Sequence, residues 1–172
     1  MGGEAWLGPG RWVVKVQPTK TKKLGNHMPT TRFTVHTSLS PKDVMTVLTD
    51  FGPDRASRWP NIDEAHFEVH ETGPDWAEVT EGTAMGWERE RYSWDAGAGT
   101  IAIETLDSNL WATGSGWHYQ LTPAGGGTDA VVTLTRVPKS ITGRLLATLI
   151  PVVGGRTLGK QLGSVFRKAE SR

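Results

Sequence analysis

From Thr31 to Ser38 the side chains alternate, with Phe33 and Val35 on one side of the chain and Arg32, Thr34 and His36 on the other. A period of two predicts a strand with one buried face. The period then changes. Val44, Val47 and Leu48 recur at helical spacing behind Ser40, Pro41 and Asp43. Ser40 suits an N-cap, Pro41 the first helical position, and Asp43 the first turn, where a negative charge complements the helix dipole. The string FGPDRASRWPN that follows reads as a bent connection with at most one further helical turn, because its prolines interrupt regular hydrogen bonding.

Strand-like runs and turn residues alternate through the middle of the chain, as they do in an antiparallel meander. The pattern predicts strands at Asp63 to Glu71, Asp75 to Glu81, Gly86 to Asp95, Thr100 to Asn109, Ser115 to Thr122 and Thr128 to Val137, punctuated by TGPD, EGTA, DAGAG and PAGGG. With the first strand this makes seven. A helical stretch from Ile141 to Ser171 closes the chain, and Pro151, Gly154 and Gly155 predict a break in its middle. Its second half is amphipathic: Leu158, Leu162, Val165, Phe166 and Ala169 share one face, and Arg156, Lys160 and Arg167 the other. Residues 1–28 show no convincing period, so they read as a flexible N-terminal extension of a domain spanning residues 29–172.

Four strings resemble one family: WERERYSWD at Trp87 to Asp95, LDSNLWATGSGWHYQLTP at Leu106 to Pro123, GGGTDAVVTLTR at Gly125 to Arg136, and GRLLATLIPVVGGRTLGKQL at Gly143 to Leu162. With the order strand, short helices, meander, long helix, they are similar to the START-like, or SRPBCC, superfamily, in its polyketide cyclase/dehydrase and lipid-transport branch. The resemblance covers about residues 30–171. It implies an α+β helix-grip fold: a curved seven-stranded antiparallel sheet wrapped around a long C-terminal helix, with two short helices after the first strand and a cavity between sheet and helix. It implies no particular reaction.

Alternation indicates which side chains face such a cavity: Phe67 and Val69; Ala77, Val79 and Glu81; Glu90, Tyr92 and Trp94; Trp117, Tyr119 and Leu121; and Ala130, Val132, Leu134 and Arg136. Six of the eight tryptophans fall between Trp59 and Trp117, so the expected pocket is aromatic. The candidate ligand-contacting set is Trp59, Phe67, Glu81, Glu90, Tyr92, Trp94, Trp111, Trp117, Tyr119 and Arg136. The aromatic members could equally be core filling. The charged members Glu81, Glu90 and Arg136 cannot face a dry core alone; they pair with one another, sit at a wet mouth, or touch a polar ligand group.

Composition narrows the alternatives. There is no cysteine, which excludes disulfides, thiolate metal sites and cysteine nucleophiles, and permits a reducing, cytoplasmic location. Residues 145–153 form the longest apolar stretch, about half of the ~20 residues that span a bilayer. Net charge is only +1, but residues 29–138 carry seven basic and sixteen acidic side chains, against seven and one in residues 139–172. An acidic body argues against nucleic acid. The basic helix admits weak contact with an anionic partner or membrane surface through Arg156, Lys160 and Arg167. On a strand His66 and His70 would stand about 13 Å apart, too far to share one ion, and Gly154-x4-Gly159-Lys160-Gln161 lacks the Ser or Thr of a phosphate loop. No metal and no cofactor are expected.

Three functions remain. The first is a binder or carrier of a hydrophobic metabolite, such as a lipid, polyketide or isoprenoid. A second is a polyketide cyclase or dehydratase using general acid/base catalysis through Glu81, Glu90 or Tyr92, with His118 in the outward register. The last is an interaction module docking through the basic helix.

Overall fold

Alternating segments pair with their sequence neighbours throughout the computed structural model, which describes residues 15, 16 and 30–171. The strands are β1 (Lys15–Val16), β2 (Thr30–Thr37), β3 (Glu68–Thr72), β4 (Trp76–Thr83), β5 (Gly86–Asp95), β6 (Thr100–Ser108), β7 (Gly116–Ala124) and β8 (Gly127–Thr135). They form one sheet in the order β1-β2-β8-β7-β6-β5-β4-β3. Every described pairing between these strands is antiparallel, so β3 to β8 are a meander and only the meeting of β2 with β8 joins distant parts of the chain. The seven expected strands are all present, as a curved sheet gripping a C-terminal helix. The extension expected over residues 1–28 lies outside the described residues except at Lys15 and Val16, which add a short eighth strand opposite Thr34 and Phe33.

Between β2 and β3 run α1 (Pro41–Thr49), α2 (Arg55–Arg58) and a 3₁₀ turn (Glu64–His66). The Ser40 hydroxyl oxygen accepts from the Asp43 backbone N–H at 3.2 Å, the cap that the sequence signals. After β8 come α3 (Ile141–Leu149), a π-helical turn (Ile150–Gly154) and α4 (Gly155–Glu170). The break falls where Pro151 withholds a backbone donor. Gly143 lets α3 lie against the loop after β6, since a Cβ there would meet the Leu110 carbonyl oxygen at 2.3 Å. At the other end Glu170 ties α4 to the sheet, accepting from Thr37 Oγ1 at 2.7 Å and from the Ser38 backbone N–H at 2.9 Å.

Inward side chains of β2, β4, β6, β7 and β8 make the core with the apolar face of α4: Phe33, Val35, Val79, Ile101, Leu121, Val132, Leu162 and Phe166 are all buried. The expected strand at Asp63 to Glu71 starts later, at Glu68, because the 3₁₀ turn occupies its first part. His66 therefore lies in that turn, 2.6 Å from Asp63, and His70 on the strand is 2.7 Å from Thr80. β3 is exposed along its length, and Val69, although opposite buried Val79, is 38% exposed. The reason is position: β3 is the outermost strand on the side away from β2, where α4 packs.

Candidate functional site

Toward the N-terminal half of α4 the grip is hollow. A cavity of about 430 Å³ opens between the sheet and the helices. Its sheet wall is Phe33, Ile101, Ile103, Trp117 and Tyr119, and Leu158, Gln161 and Leu162 of α4 close the opposite side. Asn61, Met85, Thr142 and Leu146 border it too and are exposed, which marks the mouth. The β4–β5 hairpin shapes this end. Gly82 takes φ 139°, and a Cβ there would meet the Trp87 Cα at 2.6 Å, so the tight crossing needs glycine.

Three carboxyls and two guanidiniums surround the inner part. Glu81 and Glu88 lie directly opposite one another on β4 and β5, and Glu90 follows Glu88 on the same inward face. Arg55, 1% exposed, comes from α2, which is held between Pro53 and Pro60. Its Nε donates to Glu81 Oε1 at 2.8 Å and its Nη2 to the Tyr92 hydroxyl at 3.1 Å. Nη1 donates to the Leu48 and Asp50 carbonyls at 3.2 and 2.9 Å. The guanidinium also lies over the rings of Phe51 and Trp59, at 4.5 and 5.1 Å. Burial opposes the Arg55 charge, but Glu81 and Tyr92 together hold the guanidinium above its ordinary pKa, while burial raises that of Glu81. The forked contact of Nε and Nη2 with the two Glu81 oxygens, at 2.8 and 3.3 Å, has the geometry of an ion pair.

Arg136, at the end of β8, forms the second pair. Its Nη2 and Nη1 donate to Glu88 Oε1 and Oε2 at 2.7 and 3.1 Å, and Thr105 donates to Oε2 at 2.7 Å. Its guanidinium lies against Trp117 and Trp111, at 4.9 and 5.2 Å.

Glu90 is left over. It is 5% exposed, and its Oε1 is sealed from solvent without a hydrogen-bond partner. Burial pushes its pKa well above the carboxylate range, and the charges of Glu88 and Glu81 push it further. With two cations already matched to two carboxylates, the surroundings of the third carboxyl favour its neutral form. Across the wall, the Tyr119 hydroxyl also has no hydrogen-bond partner among the described residues. Burial raises its pKa, and Glu90 adds to the effect.

Of the residues singled out from the sequence, Trp59, Glu81, Glu90, Tyr92, Trp117 and Tyr119 meet on the cavity wall. The others do not border it. Phe67 packs on the outer side near His66 and Trp87, since it precedes the edge strand. Trp94 faces inward but lies further along β5, beside Phe51 at 6.3 Å. Trp111 is buried in a separate cluster with Leu110 and Ala147. Arg136 acts on the wall through Glu88. Sequence reasoning passed over Arg55 and Glu88. Glu88 was within reach of the alternation that marks Glu90; Arg55 sits in a segment with no period, and only the need of inward Glu81 for a cation points to it. Arg156, Lys160 and Arg167 are exposed on the far side of α4, as expected, and His118 is exposed on the convex face of the sheet.

A curved antiparallel sheet, a long C-terminal helix laid across it, two short helices after the first long strand and a hollow between them make up a helix-grip fold. No family model matches the sequence, and no curated protein matches it. The solved structures it resembles include the ZhuI aromatase/cyclase of Streptomyces sp. R1128, with TM-score 0.70 and 20% identity over 85% of this chain and 96% of that one. A START superfamily protein of Mycobacterium smegmatis gives 0.64 and 15% over 83% and 97%. A STAR-related lipid transfer protein of Xanthomonas axonopodis gives 0.63 and 16% over 91% and 98%. At these identities the likeness is one of fold.

Proposed function

We propose that the protein binds a hydrophobic small molecule, of lipid, polyketide or isoprenoid type, within the cavity between sheet and α4. One observation carries the reading: an interior wall built of aromatic and aliphatic side chains surrounds about 430 Å³ instead of closing on itself. Protein interiors pack to the density of organic crystals, so a hollow of this size within the usual range of ligand pockets is a feature to be filled. Native mass spectrometry followed by denaturing extraction tests it. A retained apolar compound, or saturable uptake of an added one with shifts confined to the cavity wall, supports the reading; neither, across a panel of apolar probes, overturns it.

A second reading, acid/base catalysis on a polyketide-like substrate, is favoured by Glu90, a buried carboxyl at the wall whose raised pKa suits it to deliver a proton. If turnover is found and survives Glu81→Gln and Glu90→Gln, neither residue is the acid. At the surface, Arg156, Lys160 and Arg167 are proposed as the contact with an anionic partner or bilayer, and the location as cytoplasmic. Vesicle binding unchanged by neutralising those three charges would sink the surface contact.

A further inference from the structure

We infer that the cavity offers a subsite for one uncharged oxygen, a hydroxyl or carbonyl on an otherwise apolar ligand, at the wall residues Glu90 and Tyr119. The inference rests on the reading of the cavity as a ligand site and goes on to name the ligand's polar group.

The other polar groups at the wall are already engaged. Arg55 gives its donors to Glu81, Tyr92 and two backbone carbonyls. Arg136 is forked onto Glu88, whose Oε2 also takes the Thr105 hydroxyl. Neither cation has a charge to offer a ligand, and three carboxyls stand close by. A ligand carboxylate or phosphate would enter a site without a free counterion. Glu90 and Tyr119 are different: both border the cavity, and neither has a hydrogen-bond partner among the described residues. A buried polar group without a partner is unfavourable, so a ligand oxygen that satisfies it is bound more tightly than a hydrocarbon of the same shape. The carboxylic acid and the phenol can each donate or accept. A ketone oxygen can accept from either, and a hydroxyl can accept from or donate to either.

Naphthalene, 2-naphthol, 2-tetralone and 2-naphthoate, titrated at neutral pH into the full chain labelled with ¹⁵N, separate the possibilities. In the wild-type protein 2-naphthol and 2-tetralone are expected to bind more tightly than 2-naphthoate by about 10-fold or more. In Glu90→Leu the affinity of 2-naphthol relative to naphthalene falls by about 10-fold, and in Tyr119→Phe by a few-fold, while naphthalene itself binds at least as well. Glu90→Gln, which keeps a donor and an acceptor, retains most of the preference. The wild-type series needs no variant, so a variant that misfolds does not shelter the idea. If 2-naphthoate binds as tightly as 2-naphthol, or both substitutions leave the naphthol-to-naphthalene ratio unchanged, the subsite is refuted while the cavity remains a binding site. If none of the four probes binds, naphthalene included, the ligand reading falls and the subsite falls with it.

Discussion

The same helix crosses two very different environments. Near its C-terminus Phe166 is fully buried among Phe33, Val35 and Val132. About two turns earlier, Leu158 faces a hollow whose opposite wall carries Glu81, Glu88 and Glu90. Inward and outward side chains alternate at both ends, even past the register shift at Arg89 and Glu90, so alternation does not account for the contrast. The difference lies in what the inward positions hold. Apolar groups bury Phe166 completely, whereas the ionic pairs at the other end occupy fixed hydrogen-bonding positions and cannot collapse to fill the gap. Inward-facing therefore has two meanings in this fold, sealed core or cavity wall, and the polarity of the inward residues distinguishes them.

Truncation at the two ends should break that comparison if it is wrong. Phe166→Ala is expected to lower the unfolding free energy by about 3–5 kcal/mol, the usual effect of emptying a packed aromatic site. Leu158→Ala is expected to lower it by less than about 2 kcal/mol, because its side chain already borders empty space. Equal losses in urea denaturation would mean that the hollow end is packed after all.

Among the charged residues, Arg55→Met should be the most damaging, at about 3–5 kcal/mol, since it strands Glu81 in the interior. Adding Glu81→Leu should recover much of that loss, as replacing both partners of a buried pair by apolar groups often does. A double variant no more stable than Arg55→Met alone would show that the backbone carbonyls of Leu48 and Asp50, rather than Glu81, are what the guanidinium serves.

The smallest effect concerns Glu90 and sharpens the picture of the polar end. Burial raises its folded-state pKa above its ordinary value of 4.5, so above that pH the native state retains a proton that the unfolded chain has released. Its contribution to stability is complete below the unfolded value and is lost as pH rises toward the folded one. Glu90→Gln does not titrate and should flatten this decline, with a gain of about 1 kcal/mol at high pH. Chemical denaturation from pH 4 to 9 measures it; parallel curves for the two proteins would mean that Glu90 ionises freely in the folded state.

Much of this architecture can be read from period and punctuation. Ser40 and Pro41 announce α1, the glycine-rich turns separate the strands, and Pro151 marks the helix break. Alternation also puts Glu81, Glu90, Tyr92, Trp117 and Tyr119 on the correct face. It says nothing about depth along a strand or about cover, and the residues away from the wall show this. Trp94 has the right side but the wrong end, and Phe67 precedes a strand that the helix does not reach. Trp111 lies beyond the end of β6 altogether. Arg55 illustrates a different limit, because a four-residue helix between prolines has no period, and its burial is decided by partners from strands and loops elsewhere in the chain.

The pairing of β2 with β8 has a kinetic consequence. Every other long strand meets its partner across a turn of a few residues, so most of the meander can zip from hairpins alone. Thr37 and Thr128, however, are paired across roughly 90 residues, and closing a loop of that length is opposed by about 4 kcal/mol of chain entropy from the length-dependent part alone. Such non-local contacts slow folding. Phe33, a cavity wall residue, sits on the strand that arrives through this closure. The hairpins alone therefore cannot enclose the ligand site: it comes into being with the closure, and a nascent chain that has not yet made its last strand has no pocket to load.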